Sequence, residues 1–129
     1  GSFDLTFVMY GEESDLCRRA RRAGARPRMT PEATIVHYAG QSSRKRSDKE
    51  ILVLKAKATM IRRHFPPWQQ PAARFLLGLW PWSRMASGDL LARLTGNRRL
   101  AEAAAHWRAV WAARSTWRPG FPPLPSDRA

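Results

Sequence analysis

Three carboxylates stand within four residues, at Glu12, Glu13 and Asp15. Gly11 precedes them, Arg18, Arg19, Arg21 and Arg22 follow, and Gly24 closes the segment. This order has two readings. Acids in the first turn of a helix and bases in the last oppose its macrodipole at both ends, with Asp15 pairing to Arg19 at i,i+4. A carboxylate where a loop enters a helix is also placed to act as a general base, or to contact a ligand or metal. His37 ends a β-branched run and precedes a small-residue loop, the place of a half-buried strand-end histidine. Ser42, Ser43, Arg44 and Lys45 combine hydroxyls with cations. They suit contacts to phosphates, from a donor or a lipid-linked acceptor, or form an ordinary solvated basic loop.

These residues need elements to position them. The charge order and the flanking glycines predict a helix within 11–24, with Leu16, Ala20 and Ala23 as a narrow buried stripe. Thr34 to Tyr38 reads as a short strand, with a turn at Thr30-Pro31-Glu32 before it. Ser47-Asp48-Lys49-Glu50 has capping-box spacing, and Ile51, Leu54, Ala58, Ile61 and Phe65 then share one helical face. Pro66-Pro67 ends that helix. An apolar segment from about Ala72 is expected to break at Pro81, followed by a short helix at Asp89 to Leu94. Asn97 is placed to cap a last helix from Arg98 to about Trp117. From Pro119 the chain is proline-rich and reads as irregular.

Composition narrows the function classes. The 129 residues carry 23 Lys and Arg against 10 Asp and Glu, a net charge of +13. Residues 1–43 hold 6 basic and 5 acidic side chains, for +1; residues 44–129 hold 17 and 5, for +12. All six tryptophans lie in the basic part. Such asymmetry points to a polyanionic partner, a membrane surface or a nucleic acid. The single Cys17 excludes an intrachain disulfide and a CxxC metal site. No run approaches the roughly 20 apolar residues of a transmembrane helix, and no signal peptide is visible.

One ordered string of motifs is more specific than any single cluster. Phe3-Asp4, then Phe7-Val8-Met9-Tyr10-Gly11-Glu12-Glu13-Ser14-Asp15-Leu16-Cys17, then Arg21-Arg22-Ala23-Gly24, Pro31-Glu32-Ala33, Val36-His37, Gly40 and Ser42-Ser43 follow in order. The string resembles the C-terminal part of family 2 glycosyltransferases, in particular the bacterial rhamnosyltransferase-like enzymes. That resemblance covers residues 1–46. It implies an α/β fold of the GT-A, Rossmann-like type, to which this chain would contribute helices and a short β segment. It implies inverting transfer from a nucleotide-sugar donor to a glycan or polyprenyl-linked acceptor, in polysaccharide or cell-wall synthesis. By resemblance Glu13 is the general base, standing where the pattern usually has Asp, with Glu12 and Asp15 in support. His37 would be a ligand of a divalent cation, Mg or Mn. The Asp-x-Asp motif of the family's nucleotide-binding half occurs nowhere in residues 1–129. The chain, which begins without Met, is therefore expected to be the distal part of a longer enzyme, inactive alone.

Three zones result: residues 1–46 as the distal catalytic portion, 47–118 as an amphipathic helical extension, and 119–129 as a proline-rich tail. Arginine and tryptophan on amphipathic helices suit the membrane interface. The expected location is cytoplasmic, peripheral on the inner face of the cell membrane. Tryptophans packed back as core are the competing reading for the extension. The rival function is a basic helical module without catalysis, binding a membrane surface or nucleic acid; no nucleic-acid motif is present, and nucleic acid is not the expected partner.

Overall fold

The computed structural model describes residues 2–26, 28, 30–36 and 46–124. Its elements are α1 (Glu12–Arg22), α2 (Arg46–His64), a 3-10 turn (Pro67–Gln69), α3 (Gln70–Thr95), α4 (Arg98–Ala112) and α5 (Arg114–Trp117). Among the described residues there is no strand and no sheet. The α/β expectation and its short β segment are thus overturned in favour of a helical architecture. Thr34, Ile35 and Val36 run as irregular chain, with Ile35 83% and Val36 76% exposed. β-branched residues favour extended backbone, but a strand is stable only against a paired neighbour. No such neighbour lies among the described residues.

α2 is the central element and is buried on two sides. The predicted face holds: Leu54, Ala58 and Ile61 are buried. Leu54 meets Val110 and Trp117, with Trp80, Trp107 and Trp111 packed around them. A second side carries Ala56, which packs with Phe7 of the N-terminal loop and Phe121 near the C-terminus. The helix ends at His64, before Pro66, whose ring disfavours helical backbone at Phe65. Its terminal carbonyls are not left open. Gln70 Nε2 donates to the carbonyls of Arg62 and Phe65, at 3.3 and 3.1 Å.

α3 runs unbroken for 26 residues with Pro81 inside it, so the expected break and the separate Asp89–Leu94 helix are corrected. Proline there forfeits a backbone hydrogen bond, a cost of about 3 kcal/mol in an isolated helix. Pro81 is fully buried, and α3 packs along α4 more extensively than any other pair of helices. The approach is close enough that a Cβ built on Gly88 would stand 3.1 Å from the Ala104 Cβ. The hairpin turns at Gly96, and the Asn97 side chain accepts from the Arg99 N–H at 2.9 Å, the predicted cap. The last helix divides at Ala113 into α4 and α5, which folds Trp117 back into the core. There its indole N–H donates to the Val110 carbonyl at 3.0 Å.

The described part of the proline-rich segment, 119–124, is irregular, as expected, and its start is anchored. The Phe121 N–H donates to Thr59 Oγ1 at 2.7 Å, and Thr59 in turn donates to the Lys55 carbonyl at 3.0 Å. Arg62 donates to the carbonyls of Pro119 and Phe121, at 2.9 and 2.6 Å. Gly120 lies between them at φ 79°, and a Cβ there would fall 2.6 Å from Thr59 Oγ1. Gly120→Ala meets both a strained backbone and a clash, so urea unfolding followed by tryptophan fluorescence is expected to show a loss of about 2–3 kcal/mol. Thr59→Val removes the hydroxyl alone and is expected to cost about 1–2 kcal/mol in the same assay.

Candidate functional site

The acidic cluster is positioned by the loop before it. The Thr6 N–H donates to Asp4 Oδ1 at 2.8 Å, and the Phe7 N–H to the Asp4 carbonyl at 3.1 Å. This folds the loop so that Phe7 enters the core, edge-on to Phe121 at 6.2 Å between ring centres. Tyr10 and Gly11 are then both left-handed, at φ 67° and 89°. A non-glycine residue in that region costs about 1 kcal/mol or more and persists only where its surroundings hold it. Gly11 also touches α2 closely: a Cβ there would lie 3.2 Å from both the Ala56 Cβ and the Phe7 ring. α1 begins at the next residue, with no side-chain cap on its first N–H groups.

The three acids are treated differently by the fold. Glu13 is exposed. Glu12 is half-buried, and its Oε2 is shielded from solvent with no protein hydrogen-bond partner. Asp15 is 1% exposed and is the one buried residue of α1. Its Oδ1 accepts from His64 Nε2 at 2.7 Å, and its Oδ2 from Arg19 Nε at 2.7 Å. Arg63 Nη1 stands 3.9 Å from Oδ1. The predicted i,i+4 pair with Arg19 is therefore present, within a larger network. Both carboxylate oxygens are committed, so Asp15 positions α1 and is not placed to accept a proton from a substrate. The expected apolar stripe of Leu16, Ala20 and Ala23 is not what docks α1: Leu16 and Ala20 are half-buried and Ala23 is exposed.

Further groups complete the network. Arg63 pairs with Asp4 and donates to Thr6 Oγ1 at 3.4 Å, tying the loop to α2. Arg19 Nη2 donates to the Ser2 carbonyl at 2.8 Å, and Arg22 Nη2 to the His64 carbonyl at 3.4 Å. Burial opposes ionisation of Asp4, but hydrogen bonds from Arg63 and Thr6 and the Arg63 charge outweigh it, holding the carboxyl at about 2. Sequence reasoning missed Asp4, Arg63 and His64 as partners of the acidic cluster. The available signal was the basic last turn of α2, Arg62-Arg63-His64, opposite in sign to the first turn of α1.

His37, Ser42, Ser43, Arg44 and Lys45 lie outside the described residues. The implied divalent cation finds no fit in what is described: no three His, Cys, Asp or Glu side chains converge among those residues. Among the described residues a histidine does meet a carboxylate, His64 with Asp15, but the pair is flanked by two guanidinium groups that repel a cation. Set beside family models, curated proteins and solved structures, the chain matches none.

Two outcomes test this arrangement. Asp15→Ala leaves His64, Arg19 and Arg63 facing an empty site and is expected to cost about 3–5 kcal/mol in denaturant unfolding. Glu13→Gln, at an exposed position, is expected to change stability by less than about 0.5 kcal/mol. Asp4 sets the acid limb. Its folded pKa lies below the ordinary value of 3.8, so its stabilisation is present above that value and is lost as pH falls from 3.8 toward about 2. Thermal melts across that window are expected to show a shallower decline in Asp4→Asn than in the parent.

Proposed function

We propose that this chain supplies the acceptor-activating side of an inverting glycosyltransferase, with Glu13 as the general base. The observation that carries the reading is the placement of Glu13. It is an exposed carboxylate on the first turn of a helix that is locked from beneath by Asp15. Catalytic groups need a rigid support and an open approach, and Glu13 has both. The ordered motif string over residues 1–46 supports the same reading.

The chemistry is a single displacement. The acceptor hydroxyl oxygen bonds to the anomeric carbon from one face while the bond from that carbon to the diphosphate oxygen breaks on the other. The bonding pair leaves with the diphosphate, and the hydroxyl proton passes to the Glu13 carboxylate. A neutral hydroxyl is a weak nucleophile, and a positioned base typically contributes about 10²- to 10⁴-fold. The uncapped N–H groups of the first turn of α1 place partial positive charge beside Glu13. Glu12, adjacent and half-buried, orients the same turn. Donor binding falls to residues other than those described, which contain neither a sheet nor three converging metal-ligand side chains.

In the polypeptide as encoded, Glu13→Gln is expected to lower turnover by about 10²- to 10⁴-fold with an unchanged melting curve. Glu13→Asp keeps the carboxylate one methylene shorter and is expected to retain part of the rate. The 129-residue chain alone is expected to transfer no sugar. Unaltered turnover in Glu13→Gln sinks the assignment of the base.

A further inference from the structure

α3 presents an apolar face that nothing in the described chain covers. Phe75, Leu76, Leu79, Trp82, Leu90 and Leu94 are all exposed, Phe75 at 66% and Leu94 at 73%. At about 100° per residue they fall within an arc of about 120°, the width of a face that normally meets a core. Beside the arc is a groove of about 360 Å³ lined by Phe75, Gly78, Leu79, Trp82, Trp111 and Arg118. The face is cationic as well as apolar. Exposed Arg93 lies on the same arc, and Arg118 stands at the groove. Asp89, the one acid of α3, is neutralised by Arg108. The tryptophans divide accordingly: Trp80, Trp107, Trp111 and Trp117 pack in the core cluster, whereas Trp68 and Trp82 are exposed.

We infer that this face docks on an anionic phospholipid bilayer, with α3 lying in the plane of the interface. An apolar, aromatic helix face that also carries arginine suits a membrane interface, where the long cationic side chain reaches out to the lipid phosphates. No helix among the described residues is long and apolar enough to cross a membrane, which fits a helix lying along the surface. The groove accommodates an acyl chain, and Arg118 pairs with the phosphate at its mouth. Charge selects this occupant over two others. A second copy of a chain carrying +13 would bring Arg93 and Arg118 against their like. A nucleic acid would leave the six apolar side chains against water. The inference is independent of the catalytic reading, since no residue of the acidic cluster takes part.

The test is co-sedimentation of the 129-residue chain with phosphatidylcholine vesicles, with and without phosphatidylglycerol, at about 0.15 M salt. Binding to anionic vesicles is expected to exceed binding to neutral ones by at least about tenfold. Leu79→Glu/Trp82→Glu and, separately, Arg93→Glu/Arg118→Glu are each expected to lower it by about tenfold or more, with an unchanged far-UV spectrum. Quenching of tryptophan fluorescence by bromolipids reads insertion in the unaltered chain, without relying on any variant. Equal binding to both vesicle types, binding to neither, or full binding by both variants overturns the inference. So does a dimer that Leu79→Glu disperses without vesicle binding, or tighter binding to an oligonucleotide than to anionic vesicles.

Discussion

A carboxylate taken out of water must be matched on every oxygen, and Asp15 is such a group. Its partners come from two helices: Arg19 one turn along α1, and His64 and Arg63 from the end of α2. α1 has almost no apolar surface with which to dock, so this match substitutes for a hydrophobic seam. Charge pairing is directional where apolar contact is not. It sets the rotation of α1 about its own axis, and thereby which of its acids faces solvent.

The remainder of the N-terminal segment depends on that docking. Arg63 reaches past Asp15 to Asp4 and Thr6, so the loop and the helix it precedes share one cation. Tyr10 is strained in its left-handed conformation and packs against the cluster of Phe7, Ala56 and Phe121, while Gly11 leaves no room for a side chain against Phe7 and Ala56. α2 is braced from its far end by the C-terminal segment, where Phe121 closes the same apolar cluster that receives Phe7. The first and last parts of the described chain therefore meet across α2, and the exposed Glu13 rests on this arrangement.

The α3–α4 hairpin follows different physics. Close packing of Gly88 on Ala104 and the burial of Pro81 hold a 26-residue helix that local propensity would have interrupted. Four aromatic indoles fill the space between this hairpin and α2, with Lys57 over the Trp80 ring at 4.4 Å and Arg84 over both Trp80 and Trp107. Arginine and lysine thus cover the core aromatics at its edges. The tryptophans of the extension divide between core and surface: Trp80, Trp107, Trp111 and Trp117 pack inward from three helices, whereas Trp68 and Trp82 are exposed.

Much of the helix plan was legible in the sequence. Acids before arginines between two glycines marked α1, Pro66-Pro67 marked the end of α2, and Asn97 marked the start of α4; each is a local signal read over a few residues. The pairing of Asp15 with Arg19 was also local. What only tertiary structure decided was long-range. Thr34 to Val36 had the composition of a strand but no partner, and Pro81 had the chemistry of a break but a neighbour to pack on. Asp15 had two candidate roles until His64, 49 positions away, occupied one of its oxygens. Among three clustered carboxylates the sequence offered no ranking of exposure; the geometry of burial decided that Asp15 is enclosed, Glu12 half-buried and Glu13 exposed. The physical reason is that burial and electrostatic pairing are properties of places in space, whereas propensity and capping are properties of neighbours in the chain.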